Sequence, residues 1–253
     1  PECLLCDAAL DRSPGFTHRG VDYAVCPVCG HVQTRHRPPR GYPTAFVAGS
    51  GFDSIYPELS PDDYISRCNR VYEPKLRWVL EVLQNEGWSE SDLKAARWVD
   101  FGAGAGYFLY ALQRFGARFL EGFEAAEPLV GQGNAMLGGD IVRQNDAPLE
   151  VAIREHPGDI LSAFFVLEHI DPARPVWRAL AEKPEGTILV FAVPCHGFAT
   201  LLETALPDFA ARNLDNLVHT QLYTDRSIAY ALETAGYRPL ARWTFGQDAS
   251  DLI

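Results

Sequence analysis

Four cysteines near the start of the chain have the spacing of a metal site. Cys3 and Cys6 form one Cys-x-x-Cys pair, and Cys26 and Cys29 form a second pair after 19 intervening residues. Two such pairs separated by about 20 residues are typical of a tetrahedral Zn²⁺ held by four thiolates. Four thiolates leave no position for a substrate, so the spacing predicts a structural zinc site that folds the N-terminal segment.

A glycine-rich stretch, "WVDFGAGAGYFLYAL", forms a second candidate site. Its glycines are Gly102, Gly104 and Gly106. They follow an apolar run and precede a helical pattern, where glycines let the backbone approach a ligand closely. A phosphate-binding P-loop needs Lys and Ser or Thr after the glycines, and a dinucleotide loop needs a glycine where Tyr107 stands. Because Asp100 would repel a pyrophosphate, this stretch favours a ligand that carries an ammonium or sulfonium group.

A second acidic residue, Glu124, ends the next predicted strand, 18 residues after Gly106. A carboxylate at that point can accept hydrogen bonds from both hydroxyls of a ribose. NAD-dependent enzymes use the same contact, so Glu124 alone does not discriminate. Its combination with Asp100 and the glycine spacing points away from NAD.

Strands alternate with helices from residue 97 onward. Five apolar segments read as strands, and they are "RWVDF", "RFLEGFE", "DIVRQ", the start of "DILSAFFVLEHI", and "GTILVFAVP". This alternation predicts an α/β fold with a doubly wound, mostly parallel sheet. We expect a zinc-binding module over residues 1–42, a linker and helical cap over 43–96, and a cofactor-binding domain over 97–253.

Most of residues 97–245 resemble the class I S-adenosylmethionine-dependent methyltransferases. "VDFGAGAGYF" is similar to their cofactor loop, "FFVLEHI" to the segment that lines their methyl-transfer pocket, and "LVHTQLYTDRSIAYALETAGY" to their closing segment. The resemblance implies S-adenosylmethionine as the cofactor. The cofactor-binding residues it implies are Asp100, Gly102, Gly104, Gly106, Glu124, Asn145, Asp146 and Phe165. Asn145 and Asp146 stand where the family contacts adenine, although such a pair also begins turns.

The segment "YAVCPVCGHVQTRHRP" resembles the zinc module of one branch of these enzymes. That branch acts on sugars and secondary metabolites, and its best-known members methylate carbon atoms of nucleotide-linked deoxysugars. The resemblance therefore implies a small-molecule acceptor. Those enzymes carry a third, C-terminal domain without a counterpart in this sequence, so the acceptor stays open. The alternatives are a zinc-module RNA methyltransferase and a non-catalytic cofactor-binding partner of another enzyme.

Methyl transfer to many acceptors requires a base. Histidine is the usual base near neutral pH, and the candidates are His169, His196 and His219, with Tyr223 a weaker one. His169 and His219 also have plausible structural roles. The sequence shows no acidic cluster of the kind that holds catalytic Mg²⁺, so we expect none.

The charge of the chain argues against nucleic acid as the acceptor. Acidic residues outnumber basic ones by 33 to 22, which gives a net charge of −11 and repels a phosphate backbone, although the local patch "RHRPPR" could still bind one. No apolar run approaches the ~20 residues of a membrane span, and no secretory signal opens the chain. Six cysteines in such a chain favour a reduced, cytoplasmic setting. The oligomeric state is not predicted.

The end of the chain departs from the family pattern. The family's sheet has seven strands, whereas here "YRPLARWTF" reads as a sixth strand and only "GQDASDLI" follows it. We expect a sheet that lacks the seventh strand, with a truncated or disordered C-terminus as the reason.

Overall fold

The computed structural model describes residues 1–35, 59–206 and 221–244. The chain divides into two compact units. One comprises residues 43–164 and 182–192, and the other comprises residues 1–42, 165–181 and 193–253.

The first unit is built on a parallel sheet of five strands. Three earlier strands of the chain, β1 (Gly15–His18), β2 (Val21–Val25) and β3 (Val32–Thr34), belong to the other unit. The five strands of the parallel sheet are β4 (Arg97–Phe101), β5 (Phe119–Glu124), β6 (Val142–Gln144), β7 (Ile160–Phe164) and β8 (Ile188–Ala192). Their order is β6-β5-β4-β7-β8, so the direction of winding reverses between β4 and β7. The α/β prediction is thereby confirmed. In such sheets, ligands bind beyond the carboxyl ends of the strands at the point of reversal.

The central strands are held by apolar side chains buried on both faces. Trp98 and Val99 of β4 have no exposed surface and pair in register with Ile160 and Leu161 of β7, which have none either. Full burial of side chains of this size contributes roughly 1.5–3 kcal/mol each. This packing fixes the position of the loops at the strand ends.

Helices cover the sheet of this unit. They are α1 (Pro61–Arg67), a π-helix (Cys68–Tyr72), α2 (Glu73–Asn85), α3 (Glu90–Ala95), α4 (Tyr107–Phe115), α5 (Glu127–Leu137) and α6 (Leu149–Glu155). Ser60 caps α1, since its hydroxyl accepts from the Asp63 N–H at 3.2 Å. Pro74 lies in the first turn of α2, where a missing N–H costs no helical hydrogen bond.

The second unit contains an antiparallel sheet of four strands, β1 (Gly15–His18), β2 (Val21–Val25), β3 (Val32–Thr34) and β9 (Gln221–Leu222), in that spatial order. Three helices and a 3₁₀ turn complete it, and these are α7 (Arg174–Ala181), α8 (Phe198–Ala205), α9 (Asp225–Thr234) and the turn Leu167–His169. Tyr23, Val32 and Leu222 form one buried cluster. The N-terminal sheet is thus completed by a strand that comes almost 200 residues later in the sequence.

One expectation near the end of the chain is wrong. Residues 237–244 form no strand, and Pro239 in their midst has no N–H with which to pair. Helix α9 is capped by Thr224, whose hydroxyl accepts from the Ser227 N–H at 3.0 Å. Residues 245–253 lie outside the described part of the chain, so the expected absence of a seventh strand there stays a prediction. Among the described helices, none has the length and apolar character to cross a bilayer.

Candidate cofactor site and metal centre

The glycine loop joins β4 to α4 through a run of left-handed backbone. Gly102, Gly104 and Gly106 have φ of 66°, 55° and 72°. Residues that carry a side chain rarely adopt this backbone conformation, so the loop requires glycine at these three positions. A Cβ at Gly106 would lie 3.0 Å from the Leu137 Cδ1, whereas a Cβ at Gly104 would meet no described atom within 4 Å. The loop is therefore packed at Gly106 and open at Gly104.

Glu124, at the end of β5, holds this loop through its carboxylate. The Gly104 N–H donates to Glu124 Oε2 at 2.8 Å, and the Ala126 N–H donates to Oε1 at 2.9 Å. Each oxygen retains a further lone pair. The carboxylate is thus fixed in orientation beside the open part of the loop and can still accept two hydrogen bonds from a ligand.

Asp100 lies beneath the loop and is only 3% exposed. The Ser162 hydroxyl donates to its Oδ1 at 2.6 Å, which joins β4 to β7 where the sheet reverses. Burial raises the pKa of Asp100 to about 7, and the nearby charge of Glu124 acts in the same direction. Its contact with a cofactor cation stays a prediction.

Asn145 and Asp146 follow β6 at the same edge of the sheet. The Asn145 N–H donates to the Glu124 carbonyl at 2.8 Å, which places this turn next to the end of β5. The Asn145 side chain accepts from the Ala147 N–H at 3.3 Å, and Asp146 accepts from Gln144 Nε2 at 3.4 Å. These are the local bonds of a turn, and the adenine contact stays a prediction.

The other predicted residues belong to the second unit, on the turn that follows Phe164. Phe165 has a φ of 59° and is 38% exposed. A left-handed aromatic residue is strained, and such strain concentrates at functional sites. His169 ends the Leu167–His169 turn, with its Nε2 3.9 Å from Glu168 Oε1.

Glu168 is a functional candidate that the sequence reasoning missed. Its side chain is fully buried, and neither carboxyl oxygen has a hydrogen-bond partner among the described residues. Burial raises its pKa to about 8. Its position beside His169 in "VLEH" was the available signal. A buried carboxyl with unsatisfied oxygens is costly, so it marks a group that holds a proton or meets a ligand.

Tyr223 is also fully buried, and its hydroxyl accepts from the Trp177 Nε1–H at 3.2 Å. Burial raises the pKa of this phenol, which keeps it protonated at neutral pH. His196 lies close by in the chain fold, because its N–H donates to the Tyr223 carbonyl at 2.7 Å. Burial lowers the pKa of His196. His219 lies outside the described residues.

The four N-terminal cysteines come together as their spacing predicts. All four sulfur atoms lie within 4.8 Å of one another, with Cys3 and Cys29 at 3.6 Å and Cys6 and Cys26 at 3.5 Å. A tetrahedron with Zn–S bonds of about 2.3 Å has edges of about 3.8 Å. The four sulfur atoms are therefore close enough together to bind one Zn²⁺.

Both Cys-x-x-Cys pairs are followed by a left-handed residue. Asp7, after Cys6, has a φ of 60°, and Gly30, after Cys29, has a φ of 76°. The Asp7 N–H donates to the Cys3 carbonyl at 3.0 Å, and the Gly30 N–H donates to the Cys26 carbonyl at 2.9 Å. The two turns have the same hydrogen-bond pattern and present their sulfurs to a common centre.

Residues 72–241 match the profile of a family described as a methyltransferase domain. The chain belongs to this family. The match confirms the resemblance to class I S-adenosylmethionine-dependent methyltransferases, and it covers the glycine loop, Glu124 and the Leu167–His169 turn. Residues 72–241 are thus an S-adenosylmethionine-dependent methyltransferase domain.

Solved structures with a similar fold include two methyltransferases. An O-methyltransferase family protein from Burkholderia thailandensis is 16% identical with a TM-score of 0.55, and the match covers 84% of this chain and 63% of that one. Magnesium protoporphyrin IX methyltransferase from Synechocystis PCC 6803, solved with bound SAH, is 18% identical with a TM-score of 0.51, and the match covers 76% of this chain and 86% of that one. At such identities the likeness shows the fold alone. No curated protein sequence matches this chain.

Proposed function

We propose that this protein transfers a methyl group from S-adenosylmethionine to a small molecule, namely a sugar, a nucleotide-linked sugar or a secondary metabolite. The observation that carries the cofactor assignment is the bond between the Gly104 N–H and Glu124 Oε2, at 2.8 Å. It supports the proposal because it orients a carboxylate beside Gly104, where a Cβ would meet no described atom within 4 Å, and two free lone pairs on that carboxylate suit a ribose diol.

S-adenosylmethionine supplies an electrophilic methyl group on a sulfonium when it is bound. The residues that would hold it are those of the glycine loop together with Asp100, Glu124, Asn145, Asp146 and Phe165. Glu124 would accept from the ribose hydroxyls, and the open backbone at Gly104 would let the ligand approach closely. The Ser162 hydroxyl keeps Asp100 in place beneath the loop, at 2.6 Å from its Oδ1.

On the acceptor side, His169 is the proposed base. It lies on the turn that resembles the family's methyl-transfer segment, and an imidazole is suited to remove a proton near neutral pH. Neither oxygen of Glu168 beside it has a hydrogen-bond partner among the described residues, and its raised pKa of about 8 keeps it protonated and uncharged at neutral pH. Glu168 therefore adds no negative charge beside His169 at neutral pH.

The cysteine cluster is proposed to hold one structural Zn²⁺ through Cys3, Cys6, Cys26 and Cys29. Sulfur separations of 3.5 and 3.6 Å support this, because they are close to the length of an edge of a zinc–thiolate tetrahedron. With every ligand position taken, the metal would contribute folding energy and no chemistry.

A panel of acceptors tests the proposal. The full chain is incubated with radiolabelled S-adenosylmethionine and either nucleotide-linked deoxysugars, free sugars, phenolic metabolites or structured RNA, and the label in each product is counted. Transfer to a sugar or metabolite supports the proposal. Transfer to RNA alone, with the salt dependence of phosphate contacts, would establish the zinc-module RNA methyltransferase instead. Tight SAH binding without transfer to any of these would favour a non-catalytic cofactor-binding partner.

A further inference from the structure

The buried side chain of Gln221 joins two segments that are far apart in the sequence. Its Oε1 lies 2.7 Å from His31 Nε2, in the cysteine segment. Its Nε2 donates to the carbonyl of Leu167 at 3.1 Å and also to the carbonyl of Ile170. Gln221 itself has no exposed surface. One primary amide therefore connects the cysteine segment to both ends of the turn that carries Glu168 and His169.

The direction of this hydrogen-bond chain follows from the chemistry of the amide. Both hydrogens of the Gln221 amide are used on carbonyls, so its oxygen accepts and His31 donates from Nε2. His31 comes two residues after Cys29, and its ring packs edge-on against Tyr223 with centroids 4.9 Å apart. The position of His31, and through it of Gln221, depends on the turn that presents Cys26 and Cys29.

The turn that Gln221 holds has few backbone hydrogen bonds of its own. It is a three-residue 3₁₀ turn, in which the His169 N–H donates to the Val166 carbonyl at 3.0 Å and the Ile170 N–H reaches the Leu167 carbonyl at a long 3.4 Å. Such short segments are marginally stable without outside contacts. The Gln221 amide supplies two contacts, one to the carbonyl before Glu168 and one to the carbonyl after His169.

We propose that Gln221 is a positioning residue that couples the metal-binding cysteine segment to the Glu168–His169 turn, so that loss of the metal loosens the turn and lowers methyl transfer. Gln221 touches neither acceptor nor cofactor and acts only through the two carbonyls. The kinetic part of this inference rests on the proposed function of the turn, whereas the structural coupling does not.

A matched control lies directly opposite Gln221 in the same sheet. Gln33 is its register partner between β3 and β9, and it is 1% exposed. The Gln33 amide accepts from the Leu4 N–H at 2.7 Å and donates to the Glu2 carbonyl at 3.0 Å, so both of these bonds stay within the cysteine segment. Gln33→Leu removes a buried amide of the same kind without touching the turn.

The primary test is hydrogen exchange, followed by mass spectrometry, on the full-length zinc-loaded protein. We expect Gln221→Leu and the isosteric Gln221→Glu to exchange the amides of residues 167–170 about tenfold faster, since each loses hydrogen bonds that hold this turn. Gln221→Glu can still accept from His31 but cannot donate to the carbonyls, and it serves if Gln221→Leu fails to fold. Gln33→Leu should leave this peptide within about twofold of wild type.

The same hydrogen-exchange measurement is repeated after the metal has been removed. A strong zinc chelator should speed exchange at residues 167–170 in the wild type and add little in Gln221→Glu, because the connection is already broken there. Equal effects of the chelator on both proteins would overturn the coupling through Gln221.

Turnover on a nucleotide-linked deoxysugar gives the kinetic readout. We expect kcat to fall about 10²-fold in both Gln221 variants, the effect of a small displacement of a catalytic group, with SAH affinity unchanged and Gln33→Leu near wild type. If the Gln221 and Gln33 variants behave alike in exchange and turnover, the inference is wrong. If the Gln221 variants loosen the turn while His169→Ala keeps full turnover, the coupling stands and the proposed base fails.

Discussion

The backbone N–H of Gly104, in the loop that follows β4, donates at 2.8 Å to the carboxylate of Glu124, the last residue of the neighbouring parallel strand β5. Glycine is required at the first position by its left-handed backbone, with a φ of 55°. At the position of Glu124, the side chain must accept hydrogen bonds from the loop and, in the proposed site, from the ligand as well. The pair makes the glycine loop and the acid at the end of β5 one unit of the proposed cofactor site.

Glu124→Ala should weaken SAH binding by about 1.5–3 kcal/mol, because charge-assisted hydrogen bonds to the ribose are lost. Titration calorimetry measures this directly. Glu127→Ala is the control, since Glu127 is an exposed acid three residues later, in the first turn of α5. Equal affinities of Glu124→Ala and Glu127→Ala for SAH would remove Glu124 from the site.

Glu168→Gln should stabilise the protein, and more so as the pH rises. Burial raises the folded-state pKa of Glu168 from 4.5 to about 8, and the charged or titratable groups that face it include His169, Cys195 and Tyr223. Below pH 4.5 both states hold the proton. Between pH 4.5 and about 8 the unfolded chain ionises this carboxyl first, so the wild type loses stability that the glutamine variant keeps.

Urea unfolding at pH 5 and pH 8.5 measures that difference. Glu182→Gln is a control for which the effect on stability should change with pH in the opposite direction. The exposed carboxylate of Glu182 pairs with Arg154 at 2.7 Å and has a lowered pKa. That group contributes its small stabilisation only above its unfolded-state pKa. A Glu168→Gln variant that loses stability at pH 8.5 would mean that the native carboxylate is charged and paired.

The purified protein should contain about one Zn²⁺ per chain, and Cys26→Ser should lower that content. Chelation should increase hydrogen exchange in β1 to β3, which lie beside the four cysteines in sequence and lose the metal's contribution to folding. Strands β4 and β5 of the parallel sheet should stay protected, since they belong to the other compact unit. Elemental analysis that detects no zinc in protein purified without chelators would rule the site out.

His169→Ala should lower turnover by about 10²–10⁴-fold with unchanged SAH affinity, as expected on loss of a general base. His219→Ala is made in parallel, because His219 is the other histidine that the family resemblance implies. Steady-state kinetics and calorimetry separate loss of the base from loss of cofactor binding. Near-native turnover of both variants would place the base elsewhere, or leave catalysis to proximity alone.

Several elements followed from the sequence with little error, because their signals are local. The predicted alternation of strands and helices from residue 97 is present, and the three loop glycines are all left-handed. Cysteine spacing predicted the cluster, since two Cys-x-x-Cys turns determine most of the geometry of a tetrahedral site. The loop glycines lie within a few positions of one another in the sequence. The cysteines are farther apart, but the common arrangement of two Cys-x-x-Cys pairs is a tetrahedral metal site.

Other features depended on which distant segments meet, and the sequence carries no local signal for that. "YRPLARWTF" has the apolar content of a strand, yet residues 237–244 form none, since a strand also needs an edge with which to pair. The strand Gln221–Leu222 went unpredicted because two residues have no periodicity, and only pairing with β3 defines it.

By itself, the sequence determined the α/β fold, the methyltransferase family, the cofactor loop and the cysteine cluster. The tertiary structure alone decided that Glu168 is buried with no hydrogen-bond partner among the described residues and that Gln221 connects His31 to the turn beside it. The physical reason is that burial and hydrogen-bond partnership belong to a residue's surroundings, and those surroundings come from segments up to 190 residues away in the chain.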